Sequence, residues 1–182
     1  APMQPYPAAN FNEGVKVRLC ELQLADQPRL AGIKHLNRLE NVLARAEWND
    51  QNISEGLLCD RRGNVIEGVS SNLFIVLRGV LVTPDLIRCG VAGVTRERIL
   101  AWGGDNAMPT EIRDIPLADL LAAEEVMMCN SLIGVWQVRE IDTRQPDGSC
   151  ASGMGTSSKR WECGSFTRLI RQYLTDCHDQ TN

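Results

Sequence analysis

The chain has 182 residues and a formal charge of −4. That length permits a substantial core, and that charge gives no general attraction to nucleic acid or anionic lipid. Hydrophobic residues at 43% and charged residues at 23% are ordinary for a soluble globular protein, and no apolar run approaches the ~20 residues of a membrane-spanning helix.

The opening "APMQPYPAANFNEG" lacks an initiator Met and the charged and apolar regions of a secretory signal, so residues are expected upstream. "GVKVRLCELQLA" alternates as a strand does. After the loop "QPRLAG", residues from about His35 to Glu47 place Leu36, Leu39, Val42, Leu43 and Ala46 at helical spacing. The runs "GLLCD", "NVIEG", "NLFIVL" and "VLVTP", punctuated by "RRGN" and "RG", read as an antiparallel meander. "GVTRERILAWGGD" predicts a loop entering a short helix that ends at Gly103-Gly104. "TEIRDIP" predicts a strand and "LADLLAAEE" a short helix. "VMMCNSLIGVWQVREID" predicts a buried strand, a turn near Asn130–Gly134 and a further strand. Residues 143–160, rich in Gly, Ser, Thr and Asp, read as a flexible loop; it lacks G-x-x-x-x-G-K-[ST], so a nucleotide loop is not expected. An amphipathic helix over about 165–178 closes the chain. The sum is one α+β domain, 1–182, with a mainly antiparallel sheet or barrel.

Seven cysteines, odd in number and without a C-x-x-C pair, argue against a disulfide framework or zinc site, and for a reducing cytoplasm. Four stretches hold polar groups that packing alone does not require: Lys34 in "GIKHLNRLE", Glu67 in "VIEGVSSNLF", Thr95 and Arg96 in "GVAGVTRERIL", and Asn130 and Ser131 in "CNSLIG". Each has a plain reading. Lys34 is most often a surface lysine, Glu67 a hydrogen-bonded turn residue, Thr95 an N-cap and Arg96 a solvated helix charge. Asn130 and Ser131 are common turn formers, and His35 a satisfied structural histidine. Together they suit a different chemistry. Helix starts and glycine turns hold phosphate, a carboxylate keeps an aromatic nitrogen protonated, and a desolvated lysine is a nucleophile. Those are the parts needed for pyridoxal phosphate.

The order and wording of "LAGIKHLNRLENVLARAE", "GNVIEGVSSNLF", "GVAGVTRERIL" and "CNSLIGVWQV" resemble the class-IV (fold-type IV) pyridoxal-phosphate enzymes. These include the branched-chain and D-amino-acid aminotransferases and aminodeoxychorismate lyase. The resemblance covers about residues 29–138, and "GIKHLNRLE" is closest to the lyase. It implies that Lys34 bonds to the cofactor aldehyde and acts as acid and base, and that Glu67 pairs with the pyridine nitrogen. It further implies that Val94, Thr95 and Ser131 hold the phosphate, with Asn130 and Leu132 flanking, and that Ser70, Ser71 and Asn72 lie beside the cofactor, Asn72 bracing its turn. A folate-pathway lyase acting on 4-amino-4-deoxychorismate is the implied activity, with a class-IV aminotransferase or a non-catalytic relative as alternatives. The family's smaller N-terminal domain has no counterpart in this sequence; it is expected from the same gene product or a partner chain. A homodimer binding a small-molecule substrate, and neither nucleic acid nor membrane, completes the expectation.

Overall fold

The computed structural model describes residues 6–144 and 158–179. Along them run α1 (Ala8–Asn12), β1 (Val15–Leu24), α2 (Leu39–Arg45), β2 (Ile53–Asp60), β3 (Val65–Gly68), β4 (Asn72–Leu77), β5 (Val80–Thr83), α3 (Val94–Asp105), β6 (Thr110–Ile112), α4 (Leu117–Ala122), β7 (Glu125–Asn130), β8 (Gly134–Asp142), β9 (Ser158–Arg160) and α5 (Ser165–Asp179). The strands form one sheet in the order β3-β2-β1-β8-β7-β4-β5-β6, with β9 paired to β8. A further β3–β4 pairing closes the first six strands into a barrel. Closure rests on one register pair, Glu67 opposite Asn72. Most pairings are antiparallel, as the meander pattern predicts. The exceptions are β1, parallel to both β2 and β8, and β5, parallel to β6.

β4 shows why these residues make this fold. All six of its positions are buried, because both faces are covered. Leu73 and Ile75 point into the barrel core with Leu57, Val65, Met128 and Val138. Phe74 and Val76 meet the outer layer, where Ile99 of α3 and Ile170 of α5 pack. Each such side chain contributes roughly 1.5–3 kcal/mol on burial. α5 is tied to this layer by Glu125 of β7, whose carboxylate accepts from the N–H of Phe166 at 3.0 Å and of Thr167 at 2.9 Å. A buried anion at a helix start is favourable, since the first N–H groups have no partner inside the helix.

Three expectations are corrected. The helix predicted from about His35 starts only at Leu39. The preceding residues are held by tight backbone bonds, His35 N–H to Ile33 C=O and Arg38 N–H to Leu36 C=O, which no α-helix makes. The apolar stripe of that segment also faces outward: Leu36, Leu39, Val42 and Leu43 are exposed, while Asn41 and Ala44 are buried. Asn41 fixes this rotation by donating from Nδ2 to the Val69 carbonyl at 2.9 Å. Within the predicted loop 143–160, residues 145–157 lie outside the described residues. Ser158–Arg160 form β9 against Glu140–Asp142. α3 continues through Gly103 and Gly104 to Asp105. The C-terminal helix agrees closely with its prediction.

Cys20, Cys59, Cys89 and Cys129 are buried and free. Burial pushes their thiols up to about 12, so they act as small hydrophobes. Among the described residues no helix is long and apolar enough to cross a membrane.

Candidate functional site

The barrel's closing seam is also where the polar residues gather. Glu67, at the end of β3, has a side chain only 3% exposed. Its Oε2 accepts from the Val91 N–H at 2.8 Å, and its Oε1 faces Arg38 Nη2 at 3.4 Å. The loop reaches Glu67 because residue 90 is glycine. Gly90 has φ +88°, and a Cβ there would sit 2.8 Å from Leu86 and 2.9 Å from Ile66. Burial pushes the Glu67 carboxyl up to about 7, against the lowering pull of the Val91 N–H and of Arg38. Arg38 was not singled out in the sequence; its signal was only its place four residues beyond Lys34.

The same loop anchors the lysine segment. The Gly32 N–H donates to the Gly90 carbonyl at 2.9 Å, and the Ala92 N–H to the Gly32 carbonyl at 3.0 Å. Lys34 follows two residues later. It lines a cavity of about 530 Å³ that Glu67 also lines, and its ammonium has no hydrogen-bond or ion-pair partner among the described residues. Lys34 is exposed, so the desolvation expected of a nucleophilic lysine is not present here. His35, expected to be satisfied, has a buried Nδ1 without a partner.

The start of α3 supplies a part of the lining suited to an anion. α3 begins at Val94 after Gly93, with no side-chain cap, which leaves its first N–H groups to a ligand. Thr95 is therefore not the N-cap: it is the second helical residue, buried, its hydroxyl without a partner among the described residues. Arg96 is not solvated either. It is 5% exposed, and its guanidinium reaches Thr83 Oγ1 at 3.2 Å, the Pro84 carbonyl at 3.0 Å and Glu97 at 2.6 Å. Asn72 braces this wall rather than its own turn: Nδ2 donates to the Val91 carbonyl at 2.6 Å, and Oδ1 accepts from the Gly93 N–H at 3.1 Å.

Ser131 is exposed on the β7–β8 turn and lines the cavity with Asn130. Asn130 is committed to the turn itself, accepting from the N–H groups of Leu132 at 2.8 Å and Ile133 at 2.9 Å. Ser71 also lines the cavity, but its hydroxyl donates to Glu55 at 2.8 Å. The structure thus brings Lys34, Glu67, Val94, Thr95, Asn130, Ser131 and Ser71 to one cavity. Among the described residues no cluster of His, Cys, Asp and Glu could hold a metal ion.

These groups fit pyridoxal phosphate: an unpaired amine for its aldehyde, a buried carboxylate oxygen with only one long contact for its ring nitrogen, and an uncapped helix start for its phosphate. Replacing Thr95 with Val, which keeps shape and removes the hydroxyl, is expected to weaken pyridoxal 5′-phosphate binding about tenfold in an equilibrium titration. Unchanged affinity would take Thr95 out of the site.

Comparison with known proteins places the fold. An aminodeoxychorismate lyase from Vibrio harveyi is 39% identical over 147 residues, covering 81% of this chain and 54% of its own. A D-alanine aminotransferase from Listeria monocytogenes is 36% identical over 144 residues, covering 79% of this chain and 45% of its own. The crystal structure of 4-amino-4-deoxychorismate lyase from Pseudomonas aeruginosa superposes with a TM-score of 0.85 at 45% identity, covering 97% of this chain and 60% of that one. The chain therefore spans about half the length of the curated relatives it matches. Residues 1–141 match the amino-transferase class IV family, and with the barrel, the cavity at its seam and these relatives in agreement, the chain belongs to that family.

Proposed function

We propose that this chain is the cofactor-binding half of a pyridoxal-phosphate lyase that converts 4-amino-4-deoxychorismate to 4-aminobenzoate and pyruvate. The observation that carries the reading is the shared cavity of Lys34 and Glu67, with Arg38 of the "GIKHLNRLE" segment in contact with that carboxylate. Similarity to the two lyases supports the choice of reaction.

Bound pyridoxal phosphate supplies an aldehyde and an electron-withdrawing ring. Lys34 would hold the aldehyde and would be released from it by the substrate amine. The freed Lys34 amine then removes the proton from the substrate carbon that bears the amine. Protonated in that step, Lys34 returns a proton to the methylene carbon of the departing enolpyruvyl group. Glu67 keeps a proton on the ring nitrogen, and its buried position keeps that contact free of competing water. Val94 and Thr95 would hold the phosphate through backbone N–H groups and the Thr95 hydroxyl, and Ser131 would add a second hydroxyl. A homodimer in the cytoplasm is the assembly we propose, checked by light scattering on the full-length protein.

Similarity to D-alanine aminotransferase supports a second reading, in which the same residues pass an amino group to a 2-oxo acid. Product analysis of the full-length protein separates them. Equal amounts of 4-aminobenzoate and pyruvate from 4-amino-4-deoxychorismate are expected. Transfer from D-alanine or leucine to 2-oxoglutarate, without 4-aminobenzoate, would establish the aminotransferase instead.

A further inference from the structure

Glu55 of β2 is a buried carboxylate, 4% exposed, to which no role has yet been given. Its Oε1 accepts from the Gly56 N–H at 3.0 Å. Its Oε2 accepts from the Ser70 N–H at 3.2 Å and from the hydroxyls of Ser70 and Ser71, each at 2.8 Å. An ionised carboxylate has acceptors only, and a serine hydroxyl has a single proton. Both hydroxyl protons are therefore spent on Glu55. What Ser70 and Ser71 can turn toward the cavity they line is an oxygen lone pair. The turn is held from its other side as well, by Asn130 Nδ2 donating to the Ser70 carbonyl at 3.0 Å. Gly68 lies close beneath: a Cβ there would run into Ser71 Oγ and sit 3.0 Å from the Glu55 carboxyl carbon.

The Ser70–Ser71 turn and the start of α3, both lining this cavity, thus have opposite hydrogen-bond polarity. At α3, the first N–H groups have no side-chain cap and the Thr95 hydroxyl has no partner among the described residues, so both can donate. At the Ser70–Ser71 turn, hydroxyl oxygens can only accept. We propose that Glu55 is a positioning residue that makes this turn an accepting subsite, suited to an amine, amide or hydroxyl of a ligand and closed to phosphate and carboxylate. The inference deepens the reading of the cavity as a pyridoxal-phosphate site: it places the phosphate at α3 and keeps it off Ser71.

Two measurements test it. In the first, the protein is titrated with pyridoxal 5′-phosphate and with pyridoxal, and the affinity ratio reads the phosphate's contribution. Ser71→Ala is expected to leave that ratio within about twofold, while Thr95→Val lowers it about tenfold. An equal fall in both variants would overturn the proposal. Should the unaltered protein bind neither ligand, the cofactor reading fails, and the second measurement still decides the subsite. That measurement is neutron diffraction from the ligand-free protein. Deuterium between Ser71 Oγ and Glu55 Oε2 is expected; deuterium directed into the cavity would refute the proposal.

Discussion

Replacing Lys34 with alanine in the full-length protein is expected to abolish both the visible absorbance of lysine-bound pyridoxal phosphate and turnover. A well-placed acid or base contributes ~10²–10⁴-fold in rate. In the proposed reading Lys34 also holds the cofactor covalently, so its loss should cost more than that range. The chain's other lysines provide the control. Lys16 is paired with Glu140 at 3.3 Å and Asp142 at 3.8 Å and does not line the cavity. Lys159 lies on β9. Substituting either is expected to leave the absorbance unchanged. An absorbance scan with a product assay measures all three variants, and retention of band and turnover in Lys34→Ala would remove the lysine from the chemistry.

Glu67→Gln is expected to act on the same site in two ways. Exchanging an ionisable carboxylate for a neutral amide would remove the anion proposed to pair with the ring nitrogen, and losing an electrostatic partner of that kind typically costs ~10²–10³ in kcat. The second effect needs no cofactor. In the folded chain burial raises the Glu67 carboxyl to about 7 from its ordinary 4.5. The folded state therefore holds this proton more tightly than the unfolded state. The stability linked to it is fully present below about pH 4.5 and is lost as pH rises through about 7. Over that window the contribution falls by roughly 3 kcal/mol. Denaturant unfolding of the ligand-free protein at pH 4.5 and pH 8 should show a steeper decline for the unaltered protein than for Glu67→Gln. Identical pH profiles would mean that Glu67 is not held in the buried setting described.

Much of this site is legible in the sequence because its residues sit at local breaks. Lys34 precedes a helix, Glu67 lies near the end of a strand, Thr95 sits in the first turn of a helix after Gly93, and Ser131 occupies a turn. Each break shows in composition over a few neighbouring residues. Glu55 and Arg38 are not legible in that way. Glu55 sits inside a strand run, and its partners Ser70 and Ser71 come 15 and 16 positions later. Arg38 reads as one more helix charge until the fold brings Glu67 to it from 29 positions away. Arg96 fails for the same reason, since Thr83 and Pro84, which bury it, lie on β5 and just beyond it.

The fold divides similarly. The strands from "GLLCD" to "VLVTP" could be read from their turns, because hairpins are local. The parallel placement of β1 between β2 and β8 could not, since its partners are distant and no turn sets their register. The outward leucines of α2 mark another limit. Periodicity finds an apolar stripe but not the surface that covers it, and here Asn41 sets the helix's rotation through a bond to Val69.

The central claim is that one amine of this chain meets the aldehyde of pyridoxal phosphate beside Glu67. Its most direct test is to add pyridoxal 5′-phosphate, reduce with borohydride, digest, and locate the modified residue by mass spectrometry. The account predicts the phosphopyridoxyl group on Lys34, absent from Lys16 and Lys159. Modification spread over all three, or confined to one of the other two, would contradict it.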